Sequence, residues 1–216
     1  MLSRTWGRLA VVNITDRIMN VLIRRGETLT TSSDLDQVSP EYDFKEQHAI
    51  KVRSDQNSLF KIALAFKLRD DPLIRFFLSL RFPARRLKAS DATDMFDFED
   101  FIVLREIPSK EIIRGLLGTF DSSNTSPVMR SPSDFIHFTR PGFYKVFVSI
   151  MVTSITKGEC LLTTETRIKC TDRKTKRLFL PYWICIRWVS GILRLRMLNH
   201  IKKISEQGGD INVSAR

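Results

Sequence analysis

The last part of the chain carries one amphipathic helical pattern, and this pattern constrains the fold more than any other feature. From Asp172 to Glu206 the apolar residues return at steps of three and four, which is the spacing of one helical face. At about 1.5 Å per residue, such a helix is roughly 50 Å long. Pro181 lies inside the pattern and predicts a helix start or a kink near it. A helix of this length needs a broad apolar surface to cover its apolar face.

The middle of the chain supplies that surface as strands. Alternation of period two predicts a first strand over residues 42–53, with Phe44, Glu46 and His48 on one face and a water-facing opposite side. Further strands are predicted at 98–107, 111–120, 144–156 and 159–170, joined in pairs by turn residues at 108–110 and 157–158. Helices are predicted at 56–68, 73–80 and 131–138.

This order of elements predicts an α+β fold of the helix-grip type. A curved antiparallel sheet wraps around the long C-terminal helix, two short helices follow the first strand, and a cavity remains at the open end. The grip domain is expected to span residues 39–206. Residues 1–38 are expected to form a basic amphipathic helix and a linker, and residues 207–216 a disordered tail.

The charge is strongly unbalanced, with a formal net charge of +11 over 216 residues. Basic residues are concentrated in the first 26 residues and between 172 and 203. One interpretation is that these are solvated helix faces, and another is that they contact an anionic membrane surface. Nucleic acid binding would need aromatic platforms on the basic face, and the aromatic residues here are assigned to the sheet instead.

The cysteines and the hydropathy favour a cytoplasmic protein that is free in solution or peripheral to a membrane. Cys160 and Cys170 fall ten residues apart on one predicted strand. Their Cα atoms would then lie about 33 Å apart, too far for a disulfide, which needs less than about 7 Å. Free cysteines are typical of a reducing compartment. We find neither an apolar leader segment nor an apolar stretch of about 20 residues.

Several motifs between residues 40 and 206 resemble one known superfamily. They are Tyr42-Asp43 with Glu46-x-His48, Gly115-x-x-Gly118, Pro141-Gly142-x-x-Lys145, Leu162 to Arg167, Thr171-Asp172, Phe179-x-x-Tyr182-Trp183-x-x-Ile186, Ser190-Gly191-x-x-Arg194 and Met197-Leu198-x-x-Ile201-Lys202. Together they resemble the SRPBCC (START-like, helix-grip) superfamily, and within it a mainly bacterial branch without an agreed activity. The resemblance implies a cavity for a hydrophobic ligand. Arg114 departs from it, because the branch predicts an apolar residue there.

Glu46 and His48 form the first candidate site. Residues two apart on a strand point the same way, about 7 Å apart. Facing a cavity, this pair could bind the polar head of a ligand or act as general acid and base. Alternatively, it is a polar pair satisfied within the protein.

The strand at 159–170 offers a second candidate. Its alternation places Thr164 and Thr166 on the face that carries Leu162 and Ile168, and we expect this face to meet the helix. The two hydroxyls could then contact a ligand. Glu165 and Arg167 fall on the other face, where cross-strand ion pairs are expected. If the faces are inverted, Glu165 and Arg167 become the buried pair.

The C-terminal helix offers a third candidate. Tyr182 and Trp183 combine apolar rings with a polar edge and suit either a core or a partly wet pocket. Arg194 could serve as the counter-ion of a ligand carboxylate or of Glu46. The predicted ligand-binding set is therefore Glu46, His48, Thr164, Thr166, Tyr182, Trp183 and Arg194.

Three functions remain open from the sequence. We favour a non-enzymatic module that binds a hydrophobic or amphipathic small molecule without a cofactor. The alternatives are a cyclase-like or hydratase-like enzyme using Glu46 and His48, and a peripheral membrane protein. Phosphate-binding glycine loops, zinc-ligand spacings and nucleophile elbows are not found in the sequence.

Overall fold

A computed structural model describes residues 33–66, 101–121, 127 and 129–207. The predicted N-terminal helix, the predicted helix at 73–80 and residues 208–216 lie outside these ranges. The described elements, in chain order, are helix α1 (Leu35–Val38), strand β1 (Phe44–Val52), helix α2 (Gln56–Ala65), strands β2 (Ile102–Ile107) and β3 (Glu111–Thr119), helix α3 (Pro132–Ile136), strands β4 (Phe143–Thr156) and β5 (Glu159–Cys170), and helix α4 (Arg173–Glu206).

The strands form one antiparallel sheet in the order β1-β5-β4-β3-β2. The α+β class, the antiparallel sheet and the C-terminal helix predicted from the sequence are confirmed. β5 has the predicted ends, whereas β2 begins at Ile102, four residues later than expected. Strands β2 to β5 form a meander, and β1 pairs with β5, which lies more than a hundred residues further along the chain.

Helix α4 lies along β1 on one face of the sheet and runs in the same direction. Trp183 stacks near Phe44 at the start of β1, with ring centroids 5.5 Å apart. Near the other end, Glu206 accepts a hydrogen bond from the backbone N–H of Arg53 at 3.0 Å. The helix begins at Arg173 behind the N-cap Asp172, so Pro181 is an interior residue and the alternative of a helix start at Pro181 is wrong. None of the described helices is both long and apolar enough to cross a membrane.

Two separate apolar clusters join α4 to the sheet. Near the start of the helix, Phe179 and Trp183 pack with Ile168 and Cys170. Further along, the helix packs against the other end of β1 and β5 and against α2. The buried members of this second cluster on the helices include Leu59, Phe60, Met197, Leu198 and Ile201.

The opposite face of the sheet is covered over β2, β3 and β4, whereas on β1 it keeps the water-facing side predicted from the sequence, with Lys51 and Arg53 exposed. Leu35 of α1 and Phe135 of α3 are fully buried there, in a cluster with Leu104, Ile113 and Phe147. Residues 33–38, assigned to the N-terminal segment from the sequence, therefore contribute to the packing of the sheet.

Glu165 and Arg167 lie on this second face and are buried, with exposures of 6% and 3%. The expected cross-strand ion pair is confirmed for Glu165, whose carboxylate lies 3.0 Å from Lys45 Nζ. Arg167 instead pairs with Glu165 of its own strand at 2.6 Å and with Asp36 of α1. The two candidate pairs of β5 are thus both buried, and the threonines are the pair that faces α4.

Candidate functional site

Glu46 and His48 form a buried hydrogen-bonded pair on the face of β1 that α4 covers. His48 Nε2 lies 2.9 Å from Glu46 Oε1. The two residues are only 5% and 6% exposed. The period-two pattern places both side chains on the apolar face of β1, where a polar pair must find its partners inside the protein.

Two threonines of β5 lie directly beside this pair. In the antiparallel register Glu46 stands opposite Thr166 and His48 stands opposite Thr164. Both threonines are buried, with exposures of 5% and 1%. Since directly opposite residues on one face lie about 5 Å apart, the four side chains form one polar patch across two strands.

Arg194 of α4 contacts the same polar patch through its guanidinium group. Its Nη2 donates to the Thr166 hydroxyl, and its Nη1 lies 3.5 Å from the Thr164 hydroxyl. Its Nε donates to Ser190 Oγ, one helical turn earlier, at 3.3 Å. Burial lowers the pKa of the Arg194 guanidinium from its ordinary value, and the charge of Glu46 acts in the opposite direction.

Gly191 brings the helix backbone close to the acid–histidine pair. A Cβ at this position would lie 3.2 Å from Glu46 Oε1 and 3.8 Å from His48 Nε2. The missing side chain therefore lets α4 pass directly over the two polar groups. Contact at 3.2 Å is tighter than most Cβ contacts, so a larger residue here would press on the pair.

We call these residues the polar cluster: Glu46, His48, Thr164, Thr166, Ser190, Gly191 and Arg194. The polar cluster lies between the two apolar clusters that join α4 to the sheet, because Phe44 precedes it on β1 and Val52 follows it. An interface that served packing alone would be continuously apolar, since removing charged groups from water is costly.

A second arginine continues the polar row across the sheet. Glu46, Thr166, Val148 and Arg114 are successive neighbours on β1, β5, β4 and β3. Burial lowers the pKa of Arg114, and the charge of Glu106 raises it. Arg114 therefore lies on the same face and in the same row as the polar cluster.

Tyr182 and Trp183 lie outside the polar cluster. Trp183 is buried in the aromatic cluster at the start of α4, and Tyr182 is half-buried there, with its ring 5.9 Å from that of Phe120. Of the seven predicted site residues, five lie together in the polar cluster. The other two, Tyr182 and Trp183, belong to the adjoining aromatic cluster. Sequence reasoning missed Ser190 and Gly191, although their spacing of four and three from Arg194 is the helical signal that places all three on one side.

The described residues contain no group of three or more histidine, cysteine or carboxylate side chains suited to a metal ion. Comparison of the chain with protein-family models, curated proteins and solved structures gives no match.

Proposed function

We propose that the domain is a helix-grip module of the SRPBCC type that binds an amphipathic small molecule between the sheet and α4, in a cytoplasmic protein. The observation that carries the proposal is the polar cluster itself. Six polar side chains, among them one carboxylate and one guanidinium, occupy a sheet–helix interface that is apolar on both sides of them. Replacing buried charged groups by apolar ones is often neutral or stabilising, so we infer that these groups serve recognition rather than packing.

The donors of the polar cluster favour an anionic head group on the ligand. Arg194 is half-buried, and among the described residues its guanidinium bonds to hydroxyl oxygens and forms no ion pair. These three bonds leave guanidinium N–H groups for a further acceptor. A carboxylate or phosphate oxygen takes such donors in a charge-assisted, bidentate geometry. Arg114, in the same row, adds a second positive charge.

Apolar surface for the rest of the ligand lies in the neighbouring row of the sheet. Phe44, Ile168, Val146 and Leu116 are successive cross-strand neighbours there. Ile168 is buried, whereas the other three are only half-buried. This row adjoins the polar cluster on one side and the rings of Phe179 and Trp183 on the other. A molecule with an anionic head and an apolar body would match the two rows.

Native mass spectrometry of the full chain tests this function. We expect the purified protein to retain, or to take up from a panel of long-chain carboxylates and phosphate monoesters, one amphiphile per chain. Arg194→Met keeps the apolar stem and removes the donors, so it should weaken binding at least about tenfold, as a charged hydrogen bond is worth about 1.5–3 kcal/mol. Arg53→Met is the matched control, because Arg53 is exposed after the end of β1 and lies outside the polar cluster. Equal binding by both variants, or no binding by the wild type, contradicts the proposal.

The Glu46–His48 pair favours a second candidate, an acid–base enzyme of the cyclase or hydratase kind. A carboxylate bonded to an imidazole at 2.9 Å can orient the ring and take or return its proton. If the bound amphiphile is converted by the wild type, Glu46→Gln should retain ligand binding and lose turnover at least about a hundredfold. Ligand recovered with unchanged mass from both proteins leaves the binding module as the function.

A further inference from the structure

The outward face of α4 carries a stripe of large apolar side chains. Trp188 is 69% exposed, the most of any large apolar residue described. Four further members of the apolar stripe are half-exposed: Leu180 (47%), Ile184 (57%), Ile192 (52%) and Leu195 (49%). Single exposed apolar residues are common on protein surfaces, but five on one helix form a continuous patch.

The spacing shows that the apolar stripe is a second, separate face of α4. Its members follow each other at steps of four, four, four and three residues, which keeps them on one side of a helix. Phe179, Trp183, Arg194 and Ile201 point to the sheet instead. The stripe is about 22 Å long, at about 1.5 Å per residue. The helix therefore has one face for the sheet and another with no described cover.

Between residues 173 and 205, the charged residues of α4 are all basic, since this stretch contains no aspartate or glutamate. Exposed basic side chains precede the stripe at Arg173, Lys174 and Arg177, and others follow at Arg196 and Lys203. An apolar strip bordered by cations at both ends is complementary to a surface with an apolar interior and anionic groups at its boundary.

We propose that the apolar stripe docks α4 flat on an anionic membrane surface, with Trp188 at the level of the lipid head groups. Tryptophan prefers this boundary because its ring is apolar and its N–H is polar. The exposed lysines and arginines would contact anionic lipid heads on either side. This surface is distinct from the polar cluster, so the inference does not depend on the proposed ligand.

Vesicle flotation of the full chain tests the inference. The protein should float with vesicles of phosphatidylcholine and phosphatidylserine, remain behind with phosphatidylcholine alone, and lose binding as salt is added. The double variant Trp188→Ser/Ile192→Ser should lower the partition coefficient about tenfold or more. Arg196→Gln and Lys203→Gln should each lower it about fivefold. Val103→Ser, on the half-exposed Val103 of β2, is the control and should bind as the wild type.

Absence of flotation with anionic vesicles, equal flotation with both compositions, or undiminished binding of the double variant would each overturn the inference. Undiminished binding would place the contact elsewhere in the chain. Light scattering tests the alternative that the apolar stripe binds a second copy of the chain instead of a membrane. A wild-type dimer that the double variant converts to a monomer, without vesicle binding by either, assigns the apolar stripe to self-association and also overturns it. The double variant and the Val103→Ser control alter exposed side chains only, so circular dichroism should show that both fold like the wild type.

Discussion

Arg167 donates a hydrogen bond from Nη1 to the backbone carbonyl of Ser39 at 2.7 Å, and so binds the segment after α1 to the middle of the sheet. The same nitrogen reaches the carbonyl of Leu35 at 3.3 Å, and Nε bonds to Glu165. One buried guanidinium thus holds together a helix end, a loop and a strand.

Arg167→Met should therefore destabilise the domain strongly. Among the described residues, the variant leaves the buried Glu165 carboxylate with only Lys45 as a charged partner, and it removes donors from two backbone carbonyls. Removing one member of a buried ion pair costs about 3–5 kcal/mol in the free energy of unfolding. Urea unfolding followed by circular dichroism measures the change.

Lys169→Met is the matched control for that variant. Lys169 lies two residues further on β5 and pairs with Glu41 at 3.0 Å, but Glu41 is 82% exposed. Exposed pairs contribute about 0–1 kcal/mol. Equal losses for the two variants would show that the burial of Arg167 does not determine its contribution.

Gly115→Ala should destabilise the second face of the sheet. A Cβ on Gly115 would lie 2.6 Å from Cε1 of Phe135 and 3.0 Å from Cδ1 of Leu104. Phe135 is fully buried, so its ring can move only by disturbing its neighbours, and such overpacking costs about 1–3 kcal/mol. A double-mutant cycle with Phe135→Leu should give a favourable coupling, because the smaller side chain makes room for the methyl group. Strictly additive losses would contradict the predicted contact.

The stability that Asp172 contributes should disappear in acid. The hydroxyl of Thr175, the backbone N–H of Gly142 and the backbone N–H of Thr175 all donate to this carboxylate and hold its pKa well below the usual range. Because the folded pKa is lower than the unfolded one, the contribution is complete above about pH 4 and is lost as the pH falls through the folded pKa.

Asp172→Asn isolates this effect, since asparagine still caps the helix but does not titrate. The wild type should have the higher Tm from pH 7 to pH 5, and the difference should shrink below about pH 4. Thermal melts across this range measure it. A difference that stays constant down to pH 2 would show that the carboxylate charge is not what stabilises the start of α4.

Cys160 and Cys170 should resist alkylation in the folded protein. Burial raises the pKa of the Cys170 thiol to about 12, with Asp43 adding to the rise, and burial raises the pKa of the Cys160 thiol as well. Since the thiolate is the reactive form, iodoacetamide at pH 8 should label both residues at least about a hundredfold more slowly than in urea. Peptide mass spectrometry resolves each cysteine, and rapid labelling of Cys170 in the native protein would contradict its burial.

Local periodicity predicts the strands to within about four residues at their ends, and it predicts which faces of β1 and β5 carry the polar side chains of the cluster. Alternation places Glu46 and His48 on one face of β1 and the two threonines on one face of β5, whereas Arg194 is predicted only as a possible counter-ion on the C-terminal helix. The pairing of β1 with β5 then brought these faces together. Alternation assigns side chains to a face of their own strand, but it does not identify the strand that pairs with it. The neighbours of Glu46 on β5 therefore follow only from the observed register.

The covered second face could not be predicted in the same way. Helix α1 is four residues long and offers only Leu35 and Val38 as apolar positions, too few for a periodic signal. The burial of Arg167 depends on that helix, which lies more than 120 residues earlier in the sequence. A charged residue on a strand is usually exposed, and only the tertiary fold reverses this expectation.

The pairing of β1 with β5 also sets the order in which the protein can be completed during synthesis. Each of the strands β2 to β5 pairs with the next one in the sequence, so these strands can form hairpins in turn during synthesis. Strand β1, in contrast, leaves the ribosome long before its partner β5 has been synthesised. Glu46 and His48 lack their neighbours on β5 and α4 until residues 159–170 and then α4 have been synthesised. The face that carries the polar cluster is therefore the last part to assemble, and a nascent chain stopped before β5 exposes an edge strand that chaperones would have to shield.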